Sequence, residues 1–148
     1  MDRDEALASL TSKKKALTQE AFVNASRNGV PHLIAEYLAA GFNVNAPDKK
    51  GDTALGAAVE RNDIATVRFL IQNGAKADDV GYFFYAVYGA PFIGSVEIID
   101  LLAAAGCPTN FIDEATGFDA LGLARDMGDP QVVTRLEELL LGAQGYGA

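Results

Sequence analysis

The chain has 148 residues, 49% of them hydrophobic, enough for one domain with a real core. A formal net charge of −8 argues against nucleic acid, whose binding rests on basic side chains displacing counterions. The single cysteine excludes an internal disulfide framework and fits a reducing, cytoplasmic setting.

The amino terminus, MDRDEALASLTSKKK, carries acids and no long apolar run, so it does not read as a signal peptide. No stretch reaches the uninterrupted apolar length of a membrane helix. Residues 2–16 read as a helix with Ala6, Leu7, Leu10 and Leu17 on one stripe. Lys13, Lys14 and Lys15 form the only basic run and, with Asp2, Asp4 and Glu5 close by, read as a solvated helix face.

Thr18 is the expected N-cap of a helix holding Phe22 and Ala25. Asn28-Gly29 ends it, and Pro31 suits the first turn of a second helix, where a missing N–H costs nothing. Ile34, Tyr37 and Leu38 are expected to face the core, and Gly41 closes the unit. His32, the sole histidine, falls on the solvent side with no partner for metal binding or base catalysis.

Residues 51–77, GDTALGAAVERNDIATVRFLIQNGAKA, repeat this plan: turn glycine, threonine, short apolar helix, polar break, longer apolar helix. The period extends along the chain. Phe22, Leu55, Val87 and Leu121 lie 33, 32 and 34 residues apart. The same spacings carry Ala25, Ala58, Ala90 and Ala124, and the β-branched Ile34, Val67, Ile99 and Val133. A fourth ladder, Gly29, Asn62, Gly94 and Gly128, marks the break between helices. Four ladders sharing one set of spacings define an internal repeat.

The unit resembles an ankyrin repeat, with its turn glycine, T-P-L-H-x-A, break, and second helix ending L-L-x-x-G-A. Gly51, Thr53, Leu55, Ala58, Val67, Leu70, Ile71, Gly74 and Ala75 match, and Asn43-Val44-Asn45 leading to Asp48 and Gly51 resembles the family's hairpin. The resemblance covers residues 18–140. Alanines 21, 54, 86 and 120 replace the family's proline, and no repeat keeps its histidine. The resemblance implies an all-α ankyrin-repeat solenoid of stacked helix-turn-helix units with short hairpin fingers. Its expected organisation is a capping helix over 1–17, repeats over about 18–47, 48–79, 80–112 and 113–140, and a flexible glycine-rich tail over 141–148.

In ankyrin proteins the fingers and the exposed faces of the first helices form the binding surface. Carried over by position, the variable slots around the first finger are Pro47, Lys49, Lys50, Asp52, Glu60 and Arg61, with Arg61 the best anchor. The third repeat departs from the pattern with DDVGYFFYAVYGAPFIGS. Tyr82, Phe83, Phe84, Tyr85, Tyr88 and Phe92 put six aromatics into eleven residues, in a finger one residue short. Val87 and Ala90 are expected to point inward, Tyr85 and Tyr88 to be half-buried, and Phe92 and Ile93 to be exposed. Tyr82, Phe83 and Phe84 are placed in the finger, where no core can take all three rings. The cluster reads either as filling space or as an exposed contact patch, the contact patch being preferred, with Tyr82, Phe83, Phe84, Tyr88 and Phe92 as its contact positions.

Pro91 is expected to end that helix and Ser95 to cap the next. Cys107 occupies a small buried slot and reads as a structural thiol. The last finger, 109–118, leaves Phe118 in an exposed slot, and Asp119 and Asp129-Pro130 start the final two helices. Arg135, Glu137 and Glu138 turn the last helix polar, as a terminal cap requires.

No phosphate-cradling loop, metal-ligand cluster or nucleophile–base set is present, so neither an enzyme nor a cofactor is expected. The expected function is binding another protein through the fingers and first helices of repeats two to four. An inhibitor, an immunity-type protein or an adaptor subunit would all serve. The alternative is a structural homodimer through the aromatic patch.

Overall fold

A computed structural model describes residues 1–93 and 96–142, the side chains of residues 90–93 lying outside that description. The described residues are helical or looped, without strands, and fall into two compact units, Met1–Lys76 and Ala77–Ala148.

In the first unit, α1 spans Arg3–Ser12, α2 Gln19–Arg27, α3 Pro31–Ala39, α4 Ala54–Glu60 and α5 Ile64–Gln72. A capping box starts α1: Asp2 accepts from the Glu5 N–H at 2.8 Å, and Glu5 accepts from the Asp2 N–H at 2.9 Å. The helix ends at Ser12, short of the residue 16 expected, because Lys14 takes a left-handed conformation with φ +56°. Leu17 is accordingly exposed, while Ala6 and Leu10 are buried and α1 packs on α3. The basic run is not wholly a solvated face either, since the Lys13 ammonium pairs with the carboxylate of Glu36.

Side-chain caps start each of α2, α4 and α5. Thr18, Thr53 and Asp63 accept from the backbone of Ala21, Gly56 and Thr66 at 3.1 Å each. The break ladder has a clear physical basis. Gly29 (φ +63°) and Asn62 (φ +58°) turn the chain through the left-handed region between paired helices. At Gly29 a Cβ would also stand 2.5 Å from Asp63 Oδ2, so the cap of α5 needs the empty space.

The second unit holds α6 (Val80–Ile93), α7 (Glu97–Ala104), α8 (Ala120–Met127) and α9 (Pro130–Leu136), the last running into a π-helical turn over Glu137–Leu141. Asp119 and Asp129 cap α8 and α9 as expected. Helix α6 contradicts two expectations. It passes through Pro91 to Ile93, and it begins at Val80, so that Tyr82, Phe83 and Phe84 are helical and not in a finger. Val96 takes the N-cap position of α7 without a side-chain cap bond; Ser95 lies outside the described residues, as does the tail from residue 143.

The ladders form the core. Phe22, Leu55, Val87 and Leu121 are buried, as are Ala25, Ala58, Ala124, Ile34, Val67 and Ile99; the Ala90 side chain is outside the description. Val133 is only half-buried, because α9 turns Val132 and Leu136 inward at i, i+4 spacing.

Candidate functional site

The first finger is a turn held by one carboxylate. Asp48 Oδ1 accepts from the N–H groups of Lys50 and Asp52, both at 2.9 Å, and the Asp48 carbonyl accepts from Gly51 at 3.0 Å. Gly51 sits at φ +89°, which a side chain would strain. Lys49, Lys50 and Glu60 point to solvent. Asp52 and Arg61, by contrast, tie α2 to α4. The Arg27 guanidinium pairs with Asp52 at 3.0 Å, and Arg61 donates to the Arg27 carbonyl at 3.1 Å. Arg61 is exposed yet hydrogen-bonded within its own unit, which weakens its standing as an anchor.

The last finger repeats the device. Asp113 Oδ2 accepts from the Thr116 hydroxyl at 2.6 Å, and the Asp113 N–H donates to the Phe118 carbonyl at 2.8 Å. Gly117 holds φ +77°. Phe118 is exposed here, as its slot implies, and Ile112 beside the finger is more so.

At the start of α6 an Asp-x-x-Gly spacing recurs as Asp78 to Gly81, but no finger forms. Asp79 Oδ1 accepts from the Gly81 N–H at 2.7 Å and its carbonyl accepts from Tyr82, so Asp79 leads directly into the helix. Helical spacing then sorts the aromatics. Phe83, Ala86 and Val87 share the inward face, with Phe83 fully buried; it is a core residue and leaves the set of contact candidates. Tyr82 is half-buried. Tyr85 and Tyr88, expected half-buried, are 46% and 49% exposed on the opposite face. The Phe92 side chain lies outside the described residues.

Phe84 links the two faces. Its ring stacks on Tyr88 (5.8 Å between centroids, 17° between planes) and meets Tyr85 edge-on at 5.3 Å. Behind it stands Phe111, buried, edge-on at 5.1 Å. Phe111 was missed by sequence reasoning. Its signal was its place two residues before Asp113, where an apolar side chain precedes the finger as Ala46 does before Asp48. The outer tyrosines are thus held by a packed phenylalanine pair, which lowers the ordering cost of presenting them.

Charge divides unevenly along the chain. Residues 77–148 carry eleven carboxylates against Arg125 and Arg135, a formal −9, whereas residues 1–76 carry ten cations and nine carboxylates, a formal +1. Both arginines of the second unit are engaged, Arg125 with Glu137 at 3.2 Å and Arg135 with Asp100 and Glu138. The end of this unit is less polar than expected of a cap. Phe111, Ile112, Leu140 and Leu141 help line a cleft of about 320 Å³, although Glu137 and Glu138 are present.

The lone thiol of Cys107 is buried and donates to the Asp79 carbonyl at 3.4 Å; burial pushes its pKa up to about 11, the opposite of an activated nucleophile. Among the described residues, no group of three or more His, Cys, Asp or Glu side chains could hold a metal ion, and no helix is long and apolar enough to cross a membrane.

Capped helix pairs, left-handed breaks and Asp-anchored turns define a helical repeat protein of the binding-scaffold kind. The ankyrin repeats family model, which comprises three copies, matches residues 4–80. The chain belongs to the ankyrin repeat family, whose repeats are generally protein–protein interaction modules without catalytic activity. It is also similar to a Rickettsia felis protein described as an ankyrin repeat protein, with 40% identity over 60 residues. That match covers 40% of this chain and spans only 16% of the relative's length. The family match stops where α6 begins.

Proposed function

We propose that this chain binds another protein, and that the outer face of α6 is the centre of the contact. The carrying observation is the pair Tyr85 and Tyr88, nearly half exposed and braced by the Phe84–Phe111 pair. Tyrosines supply large contact area at small entropy cost and are enriched among interface hot spots. Phe118 is a further contact position in the same unit, and Lys49, Lys50 and Glu60 are separate ones on the first unit. Such a chain would act on its partner by occluding it, as an inhibitor or immunity-type protein does, or by positioning it, as an adaptor subunit does.

A homodimer through the same face is the competing reading. An isologous contact sets the same patch against itself, and here that brings together two units of formal charge −9. Charge therefore favours a different protein over a second copy.

The test is affinity capture with wild type and Tyr85→Ser/Tyr88→Ser, followed by titration of each purified prey. Prey whose affinity for the double variant falls by ~10-fold or more, with the helical circular dichroism unchanged, supports the reading. Prey that bind both proteins equally would contradict it, and light scattering that shows dimers of wild type but not of the variant would favour self-association.

A further inference from the structure

Resting on the docking face just described, we infer that its occupant is a cationic segment of the partner, bearing arginine or lysine side chains laid over Tyr85 and Tyr88. Three observations converge on this chemistry.

The first is the sign of the field. The unit that carries the tyrosines has a formal charge of −9, and both of its arginines are already paired with carboxylates. The chain's other cations all lie in residues 1–76. An approaching segment that is acidic is repelled by this unit, while a basic one is attracted to it.

The second is where the carboxylates stand relative to the rings. Asp78 and Asp79 immediately precede α6, and Asp79 is about 9 Å from Tyr85 along the helix, taking 1.5 Å per residue. Asp113 and Glu114 follow two and three residues after Phe111, whose ring touches that of Phe84. Asp119 caps α8, which packs against α6. The unit that carries the rings thus supplies acids from three stretches of chain that precede α6, follow Phe111 or cap a helix packed on α6. Asp78, Glu114 and Asp119 are exposed, so their charge is open to solvent.

The third is the chemistry of the rings themselves. An aromatic face carries negative electrostatic potential and attracts ammonium and guanidinium groups placed within about 6 Å of its centroid. Tyr85 and Tyr88 lie at i, i+3 on one helix, so successive cations of one segment can engage both. Exposed rings in a strongly acidic unit match a long basic side chain, with its apolar stem on the ring and its charged head toward the acids.

The experiment pans a library of random 12-residue peptides against the full chain at 50 mM salt. Enriched peptides are then titrated while the Tyr85 and Tyr88 ring resonances are followed. The expected result is enrichment of sequences with net positive charge that shift both rings. Their affinity should fall ~10-fold or more between 50 and 300 mM salt, and by a similar factor in Tyr85→Ser/Tyr88→Ser. In Asp78→Asn/Asp79→Asn the salt sensitivity should weaken while the rings still shift. Neutral or acidic peptides that shift the two rings would overturn the cationic assignment and leave the docking face standing. Basic peptides that shift only other residues, or no enrichment at all, would overturn both.

Discussion

The ring of Phe84 stands edge-on to that of Phe111, with centroids 5.1 Å apart and planes at 85°. Phe84 is half-buried in helix α6 and Phe111 is buried in the stretch before the last finger, so this contact joins the presented tyrosines to the core of their unit. Phe111→Ala should lower stability by about 3 kcal/mol, as a large cavity in a small core does. Ile112→Ala, next door but exposed, should cost no more than about 0.5 kcal/mol. Urea unfolding of the two variants measures the difference. Equal costs would mean that the ring pair does not hold the face in place.

Glu36 sits on α3 with little solvent exposure, and the hydrogen bond from the Lys13 ammonium, added to its positive charge, outweighs burial and holds its carboxyl below the ordinary glutamate range. A depressed folded pKa gives stability that is fully present above the unfolded value, about 4.3, and is lost as the pH falls through the folded one. Lys13→Met should therefore destabilise the protein by about 1 kcal/mol at pH 7, the partial exposure of Lys13 keeping the figure small. The gap between variant and wild type should close as Glu36 becomes protonated. Unfolding midpoints measured at pH 7 and pH 3 check this. A gap of the same size at both pH values would contradict the pairing.

Cys107 should resist alkylation in the native protein at pH 7.5 and react once the chain is unfolded in urea. Its raised pKa also predicts a slope. Between the ordinary thiol value near 8.5 and about 11, the unfolded thiol has lost its proton while the folded one keeps it, so stability falls as pH rises through that window. Cys107→Ala, the residue that usually fills this slot, should lack that part of the slope. An unchanged slope in the variant would assign it to other groups.

Much of the helical architecture was legible before any coordinates, because the repeat makes the same demand at each recurring slot. Leu55 and Val87 recur in register since each fills the same buried slot, and Gly29 and Gly128 recur since each break needs a left-handed residue. The stretch from Asp78 to Tyr88 was misread for a related reason. Family register placed Tyr82, Phe83 and Phe84 in a finger, and the spacing of Asp78 and Gly81 imitates that of Asp48 and Gly51. What distinguishes them is Asp79, whose side chain takes the Gly81 N–H and leads into α6 before a turn can close. The helical spacing of Phe83 with Val87 carried the correct answer, masked by the run of rings around it. The consequence is practical. A Phe83→Ser/Phe84→Ser variant, the natural choice for an exposed finger, would strike the core, whereas Tyr85 and Tyr88 can be changed at the surface.

The most direct test of the docking face is nitration of tyrosine rings in the free chain and in its complex with a captured prey. Tyr85 and Tyr88 should react readily in the free chain and be protected at saturating prey, while Tyr37, buried with its hydroxyl donating to the Ala16 carbonyl at 2.7 Å, stays unreactive in both. Undiminished nitration of Tyr85 and Tyr88 in the saturated complex would show that the partner sits elsewhere and would contradict the account.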